Sequence, residues 1–142
     1  MLKHMAVSLL IASFFLGCCG NCDVLYKSIN ISGRVFKVEV ADTQKEREIG
    51  LSGRTLEQNE GMLFVFENPC RPAFWMKGVP EPLDIIWIDN EKKVISILEN
   101  LPVVSGDDYD IYRSPSKISF VIELKGGTAK SIGLETGQVL DI

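Results

Sequence analysis

The sequence predicts a mainly β fold: a single β-sandwich or barrel-like domain with two short helices. Three observations lead there. Short apolar or alternating segments recur along the chain, each closed by Gly, Pro, Asn or Asp. Only two places carry helix-capping signals. A length of 142 residues, 46% of them hydrophobic and 24% charged, suits one folded core.

The N-terminal segment stands apart from that core. Lys3 and His4 precede an uncharged apolar run over residues 5–17. The run is shorter than the about 20 residues of a bilayer-spanning helix. It fits the roughly 7–15-residue apolar stretch of a secretory signal peptide. Residues 1–17 are therefore read as a lipoprotein-type signal, with Cys18 as the lipidated residue and the membrane as a partner through that anchor. The alternative is a freely secreted protein, cut just beyond the Cys cluster. Residues 18–31 show no clear period and read as a tether, and residues 32–142 as the domain.

The domain then unfolds element by element. Phe36, Val38 and Val40 alternate with Val35, Lys37 and Glu39, the period of a half-buried strand. Thr43 and Glu46 have capping-box spacing and open a short helix, which Gly50 and Gly53 interrupt. Ile49 and Leu51 are its expected apolar anchors. Residues 61–66 are apolar on both faces and predict a central strand, ended by a turn at Asn68-Pro69. Residues 73–77 resume an extended pattern. Residues 83–88 and 94–98 predict a hairpin across residues 89–93. Residues 102–117 read as loop, with Asp107, Asp108 and Asp110 as a solvated acidic stretch. Residues 119–124 form another strand with Phe120, Ile122 and Leu124 on one face. Thr128 caps a turn of helix that stops at Gly133, and residues 138–142 predict a last strand.

Charge and residue counts narrow the chemistry. The formal net charge is −4. Loss of residues 1–17 leaves 14 basic against 19 acidic residues, a net −5. Nucleic acid is therefore not expected as a partner, because phosphate binding needs clustered Lys and Arg. The sole histidine, His4, lies in the signal segment. The mature domain thus lacks an imidazole for Ser-His-Asp or Cys-His catalysis and for metal ligation. Cys19 and Cys22 have C-x-x-C spacing, but Cys70 is the one further thiol in the body and no zinc set is complete. Export permits a disulfide from Cys70 to Cys19 or Cys22; unpaired thiols in the tether are the other reading. No metal and no cofactor are expected.

Five motifs in order now resemble a known family. They are Val38-Glu39-Val40-Ala41-Asp42-Thr43 with Arg47, Gly61-Met62-Leu63-Phe64-Val65-Phe66, and Phe74-Trp75-Met76-Lys77. Pro82-Leu83-Asp84-Ile85-Ile86-Trp87-Ile88-Asp89 and Val121-Ile122-Glu123-Leu124 with Gly127-Thr128-Ala129 complete them. Together residues 32–142 resemble the domain-of-unknown-function 192 family, an uncharacterised ancient conserved region. The resemblance implies a mainly β fold that is often exported or lipid-anchored. It carries over no catalytic residue. The chain departs from the pattern at Ser52-Gly53, Gly78-Val79 and Gln138.

The residues themselves suggest the candidate surface. In an extended segment Phe74 and Met76 share one face, and Trp75 and Lys77 the other. An outward Trp75 offers a stacking platform and Lys77 a positive charge. Asp84, just past the Pro-rich turn, is placed at the same cleft; the competing role is packing for Trp75 and a Lys77–Asp84 ion pair. Arg47 and Glu123 form a second candidate pair, whose plainer role is a structural salt bridge. The functional expectation is an exported binding module for a small molecule, glycan or protein partner, not an enzyme. One alternative is a carbohydrate-acting envelope enzyme using Asp84 and Glu123 as paired carboxyl groups. Another is an envelope folding or assembly factor.

Overall fold

The computed structural model describes residues 24–142. Residues 1–17, read above as a signal, and Cys18, Cys19 and Cys22 lie outside the described residues.

Six strands form one mainly β sheet with two short helices, as the sequence predicts. In chain order they are β1 (Tyr26–Ile31), β2 (Arg34–Ala41), α1 (Gln44–Ile49), β3 (Glu60–Cys70), β4 (Leu83–Ile88), β5 (Val94–Leu101), β6 (Ile118–Lys125) and α2 (Thr128–Ser131). The spatial order is β1-β2-β3-β6-β4-β5. Every neighbouring pair is antiparallel except β2 and β3. That parallel pair requires a crossover, and the crossover carries α1. The C-terminal residues bridge the two sheet edges: Asp141 pairs with Asn30 of β1, and Val139 pairs with Lys93 just before β5. These two isolated bridges replace the continuous last strand expected over 138–142 and tie the C-terminal segment to both ends of an open sheet.

Both faces of the sheet are buried. On one face Phe36, Leu63, Ile86, Ile122 and Leu124 pack with Ala129 of α2 and Leu140. On the other, Met62, Phe64, Ile85, Trp87 and Val121 pack beneath Leu51, Phe74 and Val79. Alternation along each strand sends successive side chains to opposite cores.

Four local expectations are corrected. Residues 26–31, read as tether, form edge strand β1, with Ile29 and Ile31 buried. Their two apolar anchors are too few to show a period. The turn at Asn68-Pro69 is instead a register shift within β3, between Val65 and Cys70. Proline lacks an N–H and is tolerated where the ladder is already broken. Residues 73–77 form no strand; Phe74 makes a single bridge to Tyr112. Ile49 is 52% exposed and α1 buries no residue, so Leu51 alone anchors that segment.

The capping box of α1 is present: Thr43 accepts from the Glu46 N–H, and the Glu46 carboxyl accepts from the Thr43 N–H. Those bonds hold the Glu46 carboxyl below its usual range. Thr128, in contrast, is the first residue of α2 and not its cap. Gly127 occupies that position with φ +81°, a conformation an L-residue rarely adopts.

Candidate functional site

Strand β6 lies between β3 and β4, so its side chains sit at the middle of the sheet. Glu123 pairs with Met62 of β3 and with Ile85 of β4. All three therefore share one face. The close approach of β3 depends on Gly61: a Cβ there would lie 2.7 Å from the Glu123 carbonyl oxygen.

Above Glu123 the crossover and the segment after β3 leave a pocket of about 180 Å³. Phe64 and Phe66 of β3 form one side, Phe74 and Trp75 another, and Arg47 and Glu48 of α1 stand at its border. Phe74 meets Phe64 edge-on at 4.9 Å between ring centroids, and Trp87 at 5.2 Å. These contacts fix Phe74 in the core while its neighbour Trp75 stays 41% exposed.

Glu123 is the one acid in this wall that the fold removes from water: it is 5% exposed. Its carboxyl makes no hydrogen bond or ion pair with any described residue but keeps contact with the pocket; the one fully buried unpartnered side-chain polar atom among the described residues is Trp87 Nε1, on the same face. Burial favours the neutral form of Glu123 and pushes its pKa up to about 8. Glu123 is therefore mostly protonated at neutral pH.

Arg47 borders the same pocket without pairing with Glu123. It donates to the carbonyl of Asp42 and, at 2.9 Å, to that of Val65. Its guanidinium lies over the Phe66 ring, 5.1 Å from the centroid. The salt bridge expected between Arg47 and Glu123 is replaced by this backbone clamp, because the β3 carbonyl offers a closer acceptor.

Trp75 and Lys77 do point the same way. Tyr109 of the acidic loop sits between them, 6.4 Å from the Trp75 ring and 5.4 Å from the Lys77 nitrogen. Lys77 pairs with Asp107 at 2.6 Å. Asp84 does not join this cluster and does not pair with Lys77. It is fully buried, and its two carboxyl oxygens accept the N–H groups of Asn100, Gly127 and Ala129. In β4 and β6, Asp84 pairs with Leu124, and Ile85 with Glu123. Asp84 and Glu123 thus project from opposite faces of the sheet. Glycoside hydrolysis needs two carboxyl groups flanking one bond, so the Asp84/Glu123 enzyme reading is withdrawn.

A family model matches residues 27–142, that of DUF192, "Uncharacterized ACR". The chain belongs to the DUF192 family. Its fold is similar to two crystal structures. One is a protein of unknown function from Novosphingobium aromaticivorans, 30% identical with a TM-score of 0.74, covering 84% of this chain and 85% of that one. The other is a candidate transcription regulator from Sinorhizobium meliloti, 33% identical with a TM-score of 0.71, covering 82% of this chain and 90% of that one. No curated protein matches.

Within this DUF192 domain three of the five sequence candidates, Arg47, Trp75 and Glu123, meet at one pocket. Lys77 stands beside Trp75 at Tyr109, and Asp84 serves the other core. Sequence reasoning missed Phe64, Phe66 and Phe74 as pocket walls. Their pattern signals burial and carries no sign that the covering layer is incomplete above them. The arrangement suits binding: apolar rings for contact area and one buried titratable group for selection.

Proposed function

We propose that this DUF192 domain is a binding module of the cell envelope that holds a small molecule in the pocket beneath Trp75. The observation that carries the reading is Glu123, 5% exposed and without a protein hydrogen-bond partner, whose carboxyl opens onto an aromatic-walled pocket. Buried polar groups normally have hydrogen-bond partners, so this one fits a site completed by a ligand.

Trp75 provides the test. Trp87 is fully buried, so a change in the emission of the exposed Trp75 reports an event at the pocket rim. The full chain is titrated with sugars, amines and organic acids. A saturable signal that disappears in Trp75→Phe, joined to a raised melting temperature, is the expected result. A panel that moves neither quantity overturns the reading.

The proposal includes export and anchoring through Cys18. Lys3, the uncharged run over residues 5–17 and the cysteine that follows support it. Metabolic labelling with a fatty acid is expected to mark the wild type and not Cys18→Ser. Label that persists in the variant removes Cys18 as the site.

A further inference from the structure

The pocket's chemistry is specific enough to name a ligand class. We propose that it takes a primary ammonium group on a compact apolar body, with the Glu123 carboxyl as its counter-ion. This rests on the reading of the pocket as a ligand site and goes further.

The first argument is the company Glu123 keeps. Its register partners on the same face are Met62 and Ile85, neither of which offers a hydrogen bond. A carboxyl placed among apolar groups without a partner is costly. An ammonium supplies both what is missing: three N–H donors and a positive charge.

The second is the walls. Phe64, Phe66, Phe74 and Trp75 line the pocket. Aromatic ring faces are electron-rich and attract cations, most strongly when water is excluded.

The third is the balance of charge. The charged groups facing the pocket from α1 are Arg47 and Glu48, and β6 contributes Glu123. The lining from β3 and from residues 72–75 is uncharged, and Val79 adds none. Arg47 is committed to the Asp42 and Val65 carbonyls and to the Phe66 ring. Arg47 and Glu48 offset each other at the border, leaving the deeper acid unbalanced. An anion would find no free cation in the lining, because Arg47 is already committed.

The fourth is size. A volume near 180 Å³ corresponds to about six waters at roughly 30 Å³ each. It lies below the roughly 300–1,000 Å³ of drug-sized sites. A short alkylamine or one lysine side chain suits it; a sugar chain does not. Both sources share the same chemistry.

The experiment uses the full chain and four probes followed by NMR: n-pentylamine, Nα-acetyl-lysine amide, 1-pentanol and pentanoate. Resonances of Phe66, Phe74 and Trp75 report occupancy. The amines are expected to bind and the alcohol and acid to bind at least tenfold more weakly. Ammonium binding must expel the Glu123 proton, so pentylamine affinity is expected to rise nearly tenfold between about pH 6 and 7. Glu123→Gln is expected to weaken pentylamine at least tenfold; the wild-type pH profile tests the same point without any variant. Tighter binding of the lysine amide than of pentylamine assigns the site to a side chain, and the reverse order to a free amine. Pentanoate binding that weakens as pH rises, or amine binding that ignores pH, overturns the proposal. Shifts with 1-pentanol alone overturn it while leaving the pocket as a binding site. No shift with any probe overturns both.

Discussion

The carboxyl of Asp84 accepts the N–H of Ala129 at 2.7 Å, across 45 residues of sequence. A second bond, from Gly127, and a third, from Asn100, complete its shell at 2.8 and 2.7 Å. β4 thereby supplies the N-terminal cap of α2 that Thr128 does not. One buried acid ties together β4, the end of β5 and the β6–α2 turn.

Asp84→Ala is accordingly expected to be among the most damaging substitutions in the domain. It leaves three N–H groups without their acceptor. A loss of about 3 kcal/mol is expected, read as a lower urea midpoint. A change under about 1 kcal/mol would show that water replaces the carboxyl at small cost.

Glu123 sets a different expectation, with the opposite dependence on pH from a salt-bridged acid. Its folded pKa, about 8, lies above the 4.5 of an ordinary glutamate side chain. Between these values the unfolded chain has lost the proton and the folded chain keeps it. Stability contributed by this group is therefore full below about pH 4.5 and falls as pH rises toward 8, by up to about 1.4 kcal/mol per pH unit. Glu123→Gln is expected to flatten that slope. Parallel melting curves of wild type and variant at several pH values check it; superimposable slopes would remove the assignment.

Trp75 and Phe74 are neighbours in sequence with opposite expected effects. Phe74 is buried between Phe64 and Trp87. Phe74→Ala is expected to cost about 3–5 kcal/mol of stability. Trp75→Ala, at an exposed rim position, is expected to cost about 1 kcal/mol or less while weakening ligand retention. Denaturation and fluorescence- or NMR-detected binding on both variants separate packing from recognition.

Gly61 tests how β3 and β6 set the base of the pocket. A methyl group there meets the Glu123 carbonyl oxygen and a Leu124 methyl, both at 2.7 Å. Gly61→Ala is expected to cost about 1–3 kcal/mol through strand displacement. Slower exchange or an unchanged melting temperature would contradict so tight a contact.

Local order was legible in the sequence to a useful depth. Alternation at Phe36, Val38 and Val40 located β2, and the spacing of Thr43 and Glu46 located the start of α1. The hairpin of β4 and β5 followed from two apolar runs around residues 89–93. These features depend on neighbours a few residues apart, so the chain displays them directly. Strand β1 was missed because an edge strand needs only one buried face and few anchors.

The candidate site divides along the same line. The sequence by itself determined which side chains alternate: Trp75 against Phe74, and Glu123 against Ile122 and Leu124. It also determined that His-dependent chemistry is absent from residues 24–142. Only the tertiary structure decided which of these faces meet. Asp84 and Glu123 both lie in apolar strands, and no local pattern says that one caps α2 while the other faces a pocket. That outcome depends on the register between β4 and β6, where a slip of one residue would exchange the two faces. Register is set by pairing and packing across the whole sheet, and so is the fate of the two acids.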